Sequence, residues 1–70
     1  MQKWEYLYVL VIDLYVSSVT NSKLGGKYKK SSWATFLREI GEDGWEMVGF
    51  EVKHFERQVM FHTVFKRPKE

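Results

Sequence analysis

The residues of this chain that could do chemistry are two histidines, a cluster of carboxylates, a glycine pair among lysines and three tryptophans. His54 and His62 could share a metal or relay a proton only if both rings reached one point. The strand register argued below puts them on opposite faces of a sheet, and no His-Glu-x-x-His or Cys/His spacing exists. No metal site is therefore expected. Glu51 and His62 can face each other across a hairpin, where they read as a surface polar pair. Glu39, Glu42, Asp43 and Glu46 gather around a helix end and a glycine turn. Paired carboxylates act as acid and base where burial separates their proton affinities, and this is ordinary solvated surface. The serines lie in a loop or at a helix cap, away from either histidine, so no nucleophile has a base. No catalytic residue is expected, and the chain does not read as an enzyme.

Binding chemistry is more open. Gly25-Gly26, set among Lys23, Lys27, Lys29 and Lys30, could form a backbone nest for an anion, and the lysines lead into a helix N-terminus. The spacing is not that of a phosphate-binding P-loop. A solvated, mobile lysine loop is the plainer reading. Trp33 is at helical core spacing, whereas Trp4 and Trp45 lie near strand ends and could stack on a nucleobase or a flavin. Packing is the commoner use of such rings. The candidate ligand residues are thus Lys23, Lys27, Lys29, Lys30 and Trp45, and no cofactor is implied.

The elements that would position these residues can be read from hydrophobic periodicity. Trp4 to Val16 is rich in aromatic and β-branched residues and reads as a strand. Its even positions are all apolar or aromatic, and Leu7, Val9 and Val11 make the middle of the odd face apolar too. The pattern predicts a strand buried on both sides. Ser17 to Lys30 shows no sustained period and reads as a loop of roughly 14 residues, long for a compact domain. Ser31 or Ser32 then caps a helix whose apolar face is Trp33, Phe36, Leu37 and Ile40, and Gly44 ends it. Trp45 to Phe55 and Arg57 to Arg67 are two more strands, turning at Glu56-Arg57. Val48, Phe50 and Val52 then share the helix-covered face with Val59, Phe61 and Phe65. Pro68 closes the last strand.

The expected fold is α+β, a single β-α-β-β domain over residues 1–70. The crossover makes the first two strands parallel, and the third lies antiparallel between them. One helix covers one face of this three-stranded sheet, and the chain has nothing to cover the other. Leu7, Val9, Val11, Met47, Met60 and Val64 are the expected interface residues there, and a homo-oligomer, by default a dimer, is the expected assembly.

Composition supports this. A chain of 70 residues buries only about 60% of the surface that it exposes when unfolded, so stabilisation by a partner copy is attractive. It has no cysteine, which excludes disulfides and thiolate metal sites and fits a reducing compartment. Hydrophobic residues are 44% and aromatics 17%, enough for a packed core. A net charge of +2 is well short of a dedicated nucleic-acid binder. The apolar run Tyr6 to Ile12 is far below the ~20 residues that span a bilayer, and the N-terminus does not read as a signal peptide. A cytoplasmic location in a microbe, or in the host of a phage, is expected.

Trp4-Glu5-Tyr6, Leu37, Ile40-Gly41, Gly44-Trp45-Glu46-Met47-Val48 and Phe65-Lys66-Arg67-Pro68 together resemble a family of short bacterial and phage proteins, the domain-of-unknown-function family numbered 4177. Its members typically read W-E-Y near the start, L-G-x-x-G-W-E-L-V in the middle and a K-R-P-like end. The resemblance spans almost the whole chain, with a moderately specific middle motif and weaker ends. It implies a β-α-β-β domain and brings no catalytic residues. This chain departs from the pattern in a longer, more basic Ser17–Lys30 segment and in Leu7, where relatives are often polar. The element order is also similar to that of dodecins, which assemble and hold flavins between aromatic rings, an analogy of fold only.

The function expected first is a non-enzymatic, self-associating interaction module, with a phage-type inhibitor of a host protein as a variant. An oligomeric binder of a nucleotide, cyclic dinucleotide or flavin, seated at a subunit interface or at the lysine loop, is the alternative. Direct nucleic-acid binding ranks third.

Overall fold

The long first strand expected from Trp4 to Val16 folds back on itself. In the computed structural model, which describes residues 1–69, β1 spans Lys3–Ile12 and β2 spans Tyr15–Val19, paired antiparallel. The two residues between them, Asp13 and Leu14, have φ of 50° and 68°. Positive φ at both centres is the tight hairpin turn that Asn-Gly usually supplies, and a leucine there conceals it. Asp13 anchors the turn to the last strand. Its N–H donates to the Val59 carbonyl at 2.9 Å, and its carboxylate accepts from the Val59 N–H at 3.1 Å.

The expected loop from Ser17 to Lys30 is structured as well. It supplies the end of β2 and a short helix, α1 (Ser22–Tyr28), capped by the Asn21 side chain, which accepts from the amides of Lys23 and Leu24. Two glycines weaken a helix by about 1 kcal/mol each, and that composition pointed to a loop. Tertiary contact overrides it. Leu24 and Tyr28, one turn apart, face the core, and Gly25 lets the helix approach β2 so closely that a Cβ would sit 3.3 Å from the Val19 carbonyl oxygen.

α2 (Trp33–Glu42) follows the periodicity. Ser32 caps it, accepting from the Thr35 amide, while Phe36 and Ile40 are buried and Trp33 and Leu37 half-buried. It ends in a Schellman arrangement, with the Trp45 N–H on the Ile40 carbonyl at 3.1 Å and Gly44 at φ 88°.

β3 (Glu46–Phe55) and β4 (Gln58–Lys69) form the expected hairpin about Glu56-Arg57, with Phe55 opposite Gln58. β4 is antiparallel to both β1 and β3 and lies between them. Its 12 residues, at ~3.4 Å each, run along most of the molecule's 45 Å long axis. The sheet therefore has four strands in the order β2-β1-β4-β3, with two helices, and not three strands with one helix. The extra strand and helix are the parts hidden in the supposed long strand and loop.

The covered face is the other important correction. Leu7, Val9 and Val11, expected at an exposed interface, are 0–1% exposed and form the core with Val16, Tyr28, Phe36, Ile40, Trp45 and Phe65. Trp4, Tyr6 and Tyr8, on the even face, remain open at 40–63%. The reason lies in side-chain chemistry. Leu, Val and Val carry no polar atom and gain most from being dry, whereas Trp and Tyr keep a polar tip that water can serve. Glu5 and Asp13 flank the aliphatic trio only at its ends, where each finds a partner. The one buried polar side chain among the described residues, Thr63, donates its hydroxyl to the Val9 carbonyl at 3.0 Å.

Candidate functional site

The four lysines expected to hold an anion are spread over α1 and the residues after it. Lys23 and Lys27 lie on α1, and Lys29 and Lys30 follow its end, all four exposed. Gly25 and Gly26 are helical, so the expected glycine nest does not form. Lys27 is turned onto its own helix: its ammonium sits 5.1 Å from the Tyr28 ring centre. The Tyr28 side chain beside it holds that ammonium above the usual lysine range. Lys30 has φ 66° and is fixed by its N–H to the Val16 carbonyl, which ties the helix connection to β2.

Trp45 is 7% exposed and belongs to the core, so its ring is closed to a stacking ligand, contrary to its candidacy. The Arg67 guanidinium lies over it, 4.4 Å from the ring centre. Arg67 also donates from Nε to Glu5 at 2.7 Å and from a terminal nitrogen to the Asp43 carbonyl at 3.3 Å. Arg67, Glu5 and Asp43 line a wide cleft with Gly44, Pro68 and the exposed Lys69, and of its two cations Arg67 is already engaged. The helix-end carboxylates are likewise structural or free at the surface. Glu39 accepts from the buried Tyr28 hydroxyl at 3.2 Å, while Glu42, Asp43 and Glu46 are exposed.

His54 and His62 lie on opposite faces, as the register predicted, because their partners Val59 and Glu51 do. Among the described residues no group of three or more potential metal ligands comes together. Glu51 does stand opposite His62. The structure adds Tyr8, missed as a site residue, whose hydroxyl hydrogen-bonds His62 Nδ1. Tyr8, His62 and Glu51 line a shallow cleft of about 290 Å³ on the open face with Gly49, Phe50 and Val64. The sequence carried only one signal for it, the shared parity of Tyr8 with the other even positions of its strand.

Apolar side chains are also exposed on both sides of the sheet. On the open face Trp4, Tyr6 and Tyr8 are exposed, and Met60 and Val64, both expected there, are half-buried beside them. Met47, the remaining expected interface residue, pairs with Phe65 on the helix side and is 36% exposed. The helix side of β3 is uncovered too, because the core forms over β1, β2 and β4. Phe50 and Val52 stand opposite Thr63 and Phe61 on that side and are 52% and 39% exposed. Phe55, on the open side, is also exposed.

Comparison of the chain with protein-family models, with curated proteins and with solved structures finds no match. The resemblance to the family numbered 4177 therefore rests on the motif residues themselves. Their structural work is visible: Gly44 closes α2, Trp45 fills the core and Arg67 seals it. No helix among the described residues is long and apolar enough to cross a membrane.

Proposed function

We propose that this chain is a non-enzymatic interaction module that works by self-association. One observation carries the reading: a 70-residue chain leaves exposed large apolar side chains along both the open face and β3, among them Tyr6, Tyr8, Phe50, Val52 and Phe55. Exposed apolar side chains on both sides of so small a sheet mark surface available for association. Sedimentation velocity over a micromolar concentration series is the test. Association with rising concentration is expected, and a clean monomer at tens of micromolar would end the reading.

A second reading has its own observation, the Tyr8–His62–Glu51 cleft. An aromatic floor with a ring nitrogen and a carboxylate suits a planar ligand with hydrogen-bonding edges. A thermal-shift panel of nucleotides and flavins tests it. Stabilisation abolished by Tyr8→Phe supports it, and no shift with any of them removes it.

A further inference from the structure

β3 is the outer strand of the sheet and has β4 as its only strand neighbour among the described residues. Its turn determines which backbone groups face outward. Phe55 and Gln58 flank a two-residue connection, and the pair closing such a hairpin exchanges both of its hydrogen bonds inward. The alternation continues back along the strand. Lys53 and Glu51 bond inward to Met60 and His62, whereas His54, Val52 and Phe50 turn their N–H and C=O groups to the free edge. An irregularity between Met47 and Gly49 ends the straight segment. The regular edge is therefore 49–55, and its midpoint is Val52.

We propose that this edge pairs antiparallel with the same edge of a second copy about a two-fold axis at Val52, joining two four-stranded sheets into one of eight strands. The inference rests on the self-association reading and adds to it a surface and a register. In this register Val52 faces the partner's Val52 and Phe50 faces the partner's His54, each with outward hydrogen-bonding groups. Glu51 and Lys53, 65% and 50% exposed and 3.5 Å apart within one chain, then each face the opposite charge in the partner. They occupy the closer, non-hydrogen-bonded positions, where opposite charges stabilise and like charges repel. Charged residues on an edge usually discourage pairing; here their opposite signs, placed symmetrically about Val52, select self-pairing in one register. Centring on Glu51 or on Lys53 would still pair outward backbone groups, but it would set two carboxylates or two ammoniums against each other. Centring on Phe50 drives the strand into the irregularity at Met47/Gly49, and centring on His54 runs it into the turn. Beneath the ladder, Phe50 and Val52 of both copies would cover each other's exposed rings and methyls.

The chain has no cysteine, so introduced thiols report without background. Residues opposite one another at such a position have Cα atoms about 4.5 Å apart, within disulfide range, while like residues sit diagonally at about 7–8 Å. A mixture of E51C and K53C under mild oxidation is expected to form a linked heterodimer at least tenfold faster than either variant alone. The mixed dimer also keeps one native Glu51–Lys53 pair. Independently, E51K should weaken association at least tenfold, and E51K/K53E should restore it to within threefold. Association by sedimentation without preferential cross-linking in the mixture and without rescue by the swap would overturn this surface and leave self-association standing. A monomer at tens of micromolar would overturn both.

Discussion

The assignment of the covered face of β1 can be tested with two neighbouring residues. Leu7 is 1% exposed and Tyr6 is 63% exposed. Leu7→Ala removes three carbons from the core, a loss of about 2.4 kcal/mol at ~0.8 kcal/mol per buried methylene. The cavity left between β1 and the helices brings the expected cost to about 3–4 kcal/mol. For a domain of this length, with total stability on the order of 3.5–10 kcal/mol, that is a large share. Unfolding entropy of ~2.1 cal/mol/K per residue converts 3 kcal/mol into a fall in Tm of about 20 °C. Tyr6→Thr keeps a strand-favouring residue at an open position and should stay within about 0.5 kcal/mol. Urea unfolding followed by tryptophan fluorescence measures both, at one protein concentration because association would itself shift the midpoint. If Tyr6→Thr cost as much as Leu7→Ala, the aliphatic trio would not be the core side, and the account of β1 would be wrong.

Other substitutions test single features. Gly26→Ala should stabilise α1 by about 0.5–1 kcal/mol, since nothing lies within 4 Å of the new methyl, whereas Gly25→Ala should show no such gain because its methyl would crowd the Val19 carbonyl at 3.3 Å; thermal melts of the two variants make the comparison. Leu14→Gly should raise stability by about 1 kcal/mol by relieving a left-handed leucine, read as a higher urea midpoint with unchanged slope. Arg67→Lys should cost about 0.5–1 kcal/mol and red-shift tryptophan emission, because a lysine loses both the flat stack on Trp45 and the hydrogen bond to Glu5.

Local signals stood out where chemistry and spacing agree. Ser32, the Trp33–Ile40 face and Gly44 describe α2 almost to the residue. The β3–β4 hairpin follows from two apolar runs about Glu56-Arg57, and connection rules alone set β4 between its neighbours. The same register correctly put His54 and His62 on opposite faces and Glu51 against His62. Where propensity contradicts the final structure, the signal failed. The Asp13-Leu14 turn has no glycine, so one continuous apolar run concealed a β1–β2 hairpin. Gly25-Gly26 advertised a loop, yet packing of Leu24 and Tyr28 holds a helix.

The amino-acid sequence by itself determined an α+β protein without cysteine, with a three-turn amphipathic helix, a terminal hairpin and more apolar surface than one helix can cover. Those properties depend on side chains within a few positions of one another. Only the tertiary structure decided which side of β1 is dry, that Trp45 is sealed beneath Arg67, and that Tyr8 meets His62. Each of these depends on residues far apart in the chain arriving at one place. Both faces of β1 are apolar in their middle, so its pattern could not choose between them. The choice fell to the helices, which cover the face without polar tips and leave the tyrosines, and the outer edge of β3, to water or to a partner.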